Sequence, residues 1–175
     1  AKYMNFEDLF IYTPNNSGFR LNGSSDISIT GNTIMSNTTS TSSVINAIIA
    51  SASATSAFST TVGEQNITIE NNDIMGGYYG IRFYGSMAAR NGDIVISGNT
   101  MTDQYYYGIY VYYGDNVEIS DNELSGFRSN FAYGVYPYQV NGCQITGNHI
   151  SDLYYGIYGY YLSSTSTANA PSEIT

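Results

Sequence analysis

Positive charge, cysteine and long apolar runs are all scarce in this chain of 175 residues. Five Lys plus Arg stand against 14 Asp plus Glu, for a formal net charge of −9. A phosphate backbone is repelled by such a chain, which excludes nucleic acid as a partner. The single cysteine, Cys143, excludes an internal disulfide and a cysteine metal cluster. No apolar stretch approaches the ~18 residues of a membrane-crossing helix. The chain opens at Ala1 without an initiator Met or a basic-then-apolar leader, so either a leader has been removed or the chain is part of a longer polypeptide.

What is abundant tells more. Charged residues make up only 11%, while Tyr occurs 19 times and Gly 18 times, beside many Asn, Ser and Thr. Disordered chains are rich in charge and poor in aromatics. This composition suits many short strands joined by tight turns, in one domain long enough to bury a sizeable core.

A search for self-similarity finds a repeat. The segments DISITGNTI (26–34), NITIENNDI (66–74), DIVISGNTM (93–101), NVEISDNEL (116–124) and GCQITGNHI (142–150) share x-Ile-x-Ile-x-x-Asn-x-Ile. The opening segment from Met4 fits the same frame with Leu9 in the Asn slot. A second motif follows each: Tyr79-Gly80-Ile81, Tyr107-Gly108-Ile109, Tyr133-Gly134-Val135 and Tyr155-Gly156-Ile157, with Ser17-Gly18-Phe19 near the start. The shortest period, from Gly134 to Gly156, is 22 residues. The apolar spacing is two, which is a strand's period and not a helix's.

The expectation is therefore an all-β, right-handed parallel β-helix of about six coils, each ~22 residues or longer and holding about three short strands. Like residues stack from coil to coil. Ile67 and Ile69 face inward, as do Ile94 and Ile96, Val117 and Ile119, and Cys143 and Ile145. The Asn column (Asn32, Asn72, Asn99, Asn122, Asn148) sits at a corner, where Asn tolerates left-handed backbone and stacked amides can hydrogen-bond. The Gly of the second motif suits another sharp corner, where a Cβ would clash. Residues 1–175 read as a single β-helix segment, with the Ser/Thr/Ala-rich stretch 37–65 as an insertion or loop between coils. The chain stops at 171–175, where the next Ile-x-Ile motif is due; further coils of the same polypeptide are expected, since an open apolar coil is a template for edge pairing.

These coils resemble the parallel β-helix repeat shared by pectate lyases, polygalacturonases, alginate epimerases, NosD-type periplasmic proteins and large bacterial surface proteins. The phrases YYGIYVYYGDNVEISDNEL and YYGIYGYYLSSTS look like exported surface proteins of the type IX secretion kind. The resemblance implies an exported, extracellular or cell-surface location. It is specific for fold and weak for function, because function lives in sites grafted onto the fold. The NTD, paired-Asp and GHG motifs of polygalacturonases do not occur here, nor does the DPHD-type motif of the epimerases. Arg20 and Arg82 share a column but lack the acidic cluster that accompanies a pectate lyase's arginine.

The tyrosines are the distinctive feature. Counting from each motif Gly, positions +1 and +3 face inward, and +2 and +4 face outward. The outward slots hold Arg82 and Tyr84, Tyr110 and Tyr112, Tyr136 and Tyr138, and Tyr158 and Tyr160. Tyr84, Tyr110, Tyr112, Tyr136, Tyr138, Tyr158 and Tyr160 are thus candidate ligand-binding residues on one face. The competing reading is that they pack against neighbouring coils as cross-strand aromatic pairs do. Tyr78 with Tyr79, Tyr106 with Tyr107, and Tyr154 with Tyr155 precede the glycines, and one of each pair is expected to pack inward.

Acid–base catalysis needs converging carboxylates, and those here are scattered. Asp73, Thr100, Glu123 and His149 share an outward column, in which Glu123 and His149 read as a solvated ion pair. Asp103 and Asp152 recur at equivalent turns, two coils apart, too sparse for the six or more oxygens that calcium wants. Cys143 reads as a small apolar core residue. No catalytic residue, metal site or cofactor is assigned. The favoured reading is a non-catalytic stretch of a large exported β-helix protein, an adhesin-type stalk or a surface for a polysaccharide or a surface or secretion-machinery protein. The alternative is a piece of a polysaccharide lyase or hydrolase whose catalytic site lies on other coils.

Overall fold

The computed structural model of the chain describes residues 3–53, 55–56, 58–60, 62–163 and 173–174. Among them every regular element is a β-strand. In chain order these are β1 (Met4–Glu7), β2 (Phe10–Thr13), β3 (Phe19–Leu21), β4 (Ser25–Thr30), β5 (Thr33–Ser36), β6 (Asn46–Ala50), β7 (Gln65–Glu70), β8 (Asp73–Met75) and β9 (Tyr79–Tyr84). There follow β10 (Asn91–Ser97), β11 (Thr100–Thr102), β12 (Tyr107–Ser120), β13 (Glu123–Ser125), β14 (Tyr133–Thr146), β15 (His149–Ile150), β16 (Tyr155–Ile157) and β17 (Glu173–Ile174).

The strands stack in parallel as a solenoid of about six turns, each turn contributing one strand to each of three faces. The first face carries the Ile-x-Ile segments: β1, β4, β7, β10, the second halves of β12 and β14, and β17. The second runs β2, β5, β8, β11, β13, β15. The third runs β3, β6, β9, the first halves of β12 and β14, and β16. Glu173 and Ile174 pair beside Gln144 and Ile145, in the slot of a further Ile-x-Ile segment.

The core is a set of columns. Ile27, Ile67, Ile94, Val117 and Cys143 are register partners in turn, and so are Ile29, Ile69, Ile96, Ile119 and Ile145. All are buried, Cys143 at 1% exposure. On the second face Ile34, Ile74, Met101 and Leu124 close the core, and on the third Ile48, Ile81, Ile109 and Val135 do so. Each such side chain contributes about 1.5–3 kcal/mol by leaving water, and the period-two pattern is what aims them all inward.

The asparagine corner is a continuous amide ladder. Nδ2 of Asn32, Asn72, Asn99 and Asn122 donates to Oδ1 of the Asn on the following coil, at 3.0, 2.9, 2.9 and 2.9 Å. The same oxygens accept the backbone N–H of the previous Asn, at 2.9–3.0 Å. Left-handed backbone, however, falls one residue earlier than expected: Asp8, Gly31, Asn71, Gly98, Asp121 and Gly147 have φ between 54 and 67°. The Asn itself stays extended so that its amide can point along the axis. A second left-handed column holds Asp103, Gly126 and Asp152 (φ 61, 66 and 59°); their recurrence is a backbone requirement of the turn, which Gly, Asp and Asn meet at low cost. The motif glycines are not left-handed. They are sites of close approach: a Cβ on Gly108 would lie 2.7 Å from the Gly134 carbonyl and against Leu124.

Within 37–65, β6 occupies a regular coil slot, with Phe19, Ile48 and Ile81 in register and Arg20, Ile49 and Arg82 beside them. The additional length lies before and after it. The later piece is pinned by Glu64, a fully buried carboxylate that accepts the backbone N–H groups of Gly23 at 2.9 Å and Ser24 at 2.5 Å.

Candidate functional site

The third face carries tyrosine in its outward slots from β9 to β16. β9, β12, β14 and β16 set the register that builds it. Tyr84, Tyr112, Tyr138 and Tyr160 form one column, with ring centroids 4.6, 4.8 and 4.9 Å apart and planes within 37° of parallel. Tyr110, Tyr136 and Tyr158 form a second, packed edge to face at 5.3 and 5.1 Å. Arg82 is the second column's remaining rung, beside Tyr110. All seven tyrosines expected on this face are therefore there, and adjacent rungs touch.

A third column, unforeseen in the sequence, lies alongside. Tyr79, Tyr107, Tyr133 and Tyr155 stack at 4.9, 5.2 and 5.0 Å with planes 7–25° apart. These residues were expected to pack inward in part. Instead Tyr79 and Tyr107 join an outer cluster with Ile49, Tyr78 and Tyr110, separate from the main core. The reason is the glycine. Gly108 and Ile109 are both buried in succession, so strict alternation breaks at the corner and the residue before Gly is thrown to the outside. The Tyr-Gly pair followed by Ile or Val, repeated four times, is the available signal.

Stacking in the first and third columns turns ring edges outward, whereas rings of the second column alternate edge and face. The columns are thus packing ladders, each aromatic pair adding about 0.5–1.5 kcal/mol beyond area burial. They are also a ruled surface of ring edges and phenol groups. Burial pushes the Tyr79 and Tyr112 hydroxyls up to about 12, and burial with neighbouring tyrosines raises Tyr107 and Tyr110 further. Such phenols are neutral hydrogen-bonding groups and poor bases, suited to holding a ligand.

Arg82 departs most from expectation. Its slot is outward, yet it is fully buried. Its guanidinium carbon lies 4.4, 4.8, 5.0 and 5.8 Å from the ring centroids of Tyr84, Phe58, Tyr79 and Tyr110. Phe58 comes from the piece of 37–65 that follows β6, a long-range contact invisible to a repeat frame. None of the three guanidinium nitrogens has an acceptor in strict hydrogen-bond geometry; the Tyr79 hydroxyl acts on Arg82 both through its charge and as a weak, off-geometry hydrogen-bond partner. Each cation–π contact contributes about 0.5–2 kcal/mol, set against about 1–3 kcal/mol for each donor left unsatisfied. Burial accordingly lowers the pKa of Arg82. The other arginine of that column, Arg20, is exposed.

The remaining candidates do not assemble. Glu123 and His149 are adjacent rungs, but the ion pair formed among the described residues is Arg90–Asp115, at 2.9 Å. The expected Glu123–His149 pair does not form there; both residues are exposed, where such a pair gains little. Asp73, Thr100 and Glu123 occupy the expected column. Burial pushes the Cys143 thiol up to about 12, leaving it inert.

The family model described as "Periplasmic copper-binding protein (NosD)" matches residues 38–170. No curated protein and no solved structure matches.

Proposed function

Since this chain belongs to the NosD family of periplasmic β-helix proteins, we propose that it is an exported binding protein whose tyrosine face docks an extended glycan. The observation that carries this reading is the three-column tyrosine array, repeated rung by rung on one face where a core has no need of it. Contiguous exposed aromatics mark interaction surfaces. Rungs about 4.8 Å apart approximate the advance of one pyranose along a stretched chain, so successive sugars meet equivalent ring edges and phenols. Phenols that donate and accept suit sugar hydroxyls. A stiff solenoid displaying the same groups along a line also serves as an adhesin-type stalk.

Copper, named in the family's description, does not fit the donors of this chain. Among the described residues no three His, Cys, Asp or Glu converge on a point. His149 is exposed and alone, and Cys143 is sealed in the core. Met35 and Met75 are register neighbours, but two thioethers make half of a tetrahedral soft set. No step of the proposed function runs through the metal.

The test is affinity electrophoresis through neutral and acidic polysaccharides, with a Tyr110→Ser/Tyr112→Ser/Tyr136→Ser variant alongside. Retardation by a polysaccharide, abolished in the variant, is the expected result. Equal mobility of both proteins in every gel refutes glycan docking and leaves the columns as packing ladders.

A further inference from the structure

Among the described residues Arg82 is the cation whose guanidinium packs against rings of the tyrosine columns, and it is placed unusually. It sits on the same column as Tyr110, Tyr136 and Tyr158, so anything laid along that column passes over it. The box around it satisfies the faces of the guanidinium with rings, while its edge has no well-aligned acceptor and the Tyr79 hydroxyl as its one weak partner among the described residues. A guanidinium presents its five N–H donors as a planar fork whose best complement is a carboxylate, held through two parallel hydrogen bonds. Among the described residues the groups that act on Arg82 are the tyrosines Tyr79, Tyr110 and Tyr84, with no carboxylate among them. Phe58, 57% exposed, is the most open of the four rings and Tyr79, at 3%, the most enclosed. The box is therefore thinnest on the Phe58 side.

Resting on the glycan-binding reading above, we infer that the Arg82 box is a carboxylate subsite, and that the tyrosine face takes a carboxylated polysaccharide with one acid group seated at Arg82 and adjoining sugars on Tyr110 and Tyr136. Phe58 moves aside as the carboxylate enters. The net charge of −9 works against any polyanion held by charge alone, so retention of such a polymer reports a specific site and not general attraction.

The test uses one polymer in two charge states, polygalacturonate and its fully methyl-esterified form, with dextran sulfate as a third gel. The chain is expected to bind polygalacturonate at least tenfold more tightly than the ester. Arg82→Gln is expected to erase that preference, with binding falling at least tenfold more for the acid than for the ester. Phe58→Ala, which leaves Arg82 in place, is expected to strengthen binding of the acid several-fold, and serves if the Arg82 variant does not fold. Equal binding of acid and ester, or a preference that neither variant alters, overturns the carboxylate subsite while glycan docking stands. Dextran sulfate bound as tightly as polygalacturonate, with the same dependence on Arg82, overturns the assignment to carboxylate. No retardation in any of the gels removes the glycan reading itself, and this inference with it.

Discussion

Asparagine and tyrosine both form ladders up this solenoid, the first from Asn32 to Asn148 and the second from Tyr79 to Tyr160, and they behave in opposite ways. The asparagine ladder is buried along most of its course, each amide engaged on both sides and also bound to a backbone carbonyl of the preceding coil, as Asn99 is to Ile69. The tyrosine ladders are half-exposed and their mutual contacts are ring to ring. Repetition alone does not distinguish a structural column from a functional one; the fate of the polar atoms does. Where every donor and acceptor is consumed inside the fold, the column serves the fold. Where they remain at the surface, they are free for a partner.

The contrast can be broken from either side. The largest effect is expected for Asn99→Ala, which takes the acceptor from the Asn72 backbone N–H and from one Asn72 amide hydrogen, and a donor from the Ile69 carbonyl; at about 1–3 kcal/mol per buried group left unpaired, urea unfolding should reveal a loss of about 3 kcal/mol or more, with the glycan retardation per folded molecule unchanged. Gly108→Ala comes next, since its Cβ would meet the Gly134 carbonyl at 2.7 Å; overpacking of this kind costs about 1–3 kcal/mol and should appear as a lowered thermal midpoint. Tyr112→Ser reverses the balance, with a stability loss of only about 1–2 kcal/mol from two stacked neighbours but a clear loss of retardation. If instead its stability loss matches that of Asn99→Ala, the tyrosines are structural first.

Alkaline pH should sharpen the difference further. In the folded chain the Tyr79 and Tyr112 phenols are pushed up to about 12 by burial, against the ordinary 10.0 of the unfolded chain. The unfolded chain therefore loses its protons first. Stability is full below pH 10 and falls as pH rises from there toward the folded values, while an amide ladder has nothing to titrate. Absorbance of tyrosinate near 295 nm, followed with the urea midpoint, should show late-ionising phenols and a parallel decline. The smallest effect is expected for Cys143→Val, which places in the core slot the residue type already present at Val117 and should change the unfolding free energy from urea titration by less than about 1.5 kcal/mol.

How far the sequence discloses this molecule follows from the range of each interaction. Ile67 with Ile69, and the Asn five positions after Ile67, are set by a local period, so core columns, register and the amide ladder are legible directly. Tyr107 is not, because alternation fails across the single residue Gly108, where two successive residues face inward. Arg82 is legible as a slot but not as an environment: its cover is Phe58, supplied from 24 positions earlier by a stretch outside the repeat. The left-handed position lies at Gly98 rather than Asn99 because the amide needs an extended residue to aim along the axis, a tertiary demand that residue preference does not anticipate.

The amide ladder also has a direction. Each asparagine from Asn32 to Asn122 accepts on its side-chain oxygen from the coil before it and donates an amide hydrogen to the asparagine of the coil after it, so the column is polar like a row of magnets laid head to tail. The two ends of the column are therefore unlike: one offers amide hydrogens, and the other is closed by the Leu9 N–H on the Asn32 oxygen. An asparagine of a neighbouring coil fits the donor end only in the register that meets those hydrogens.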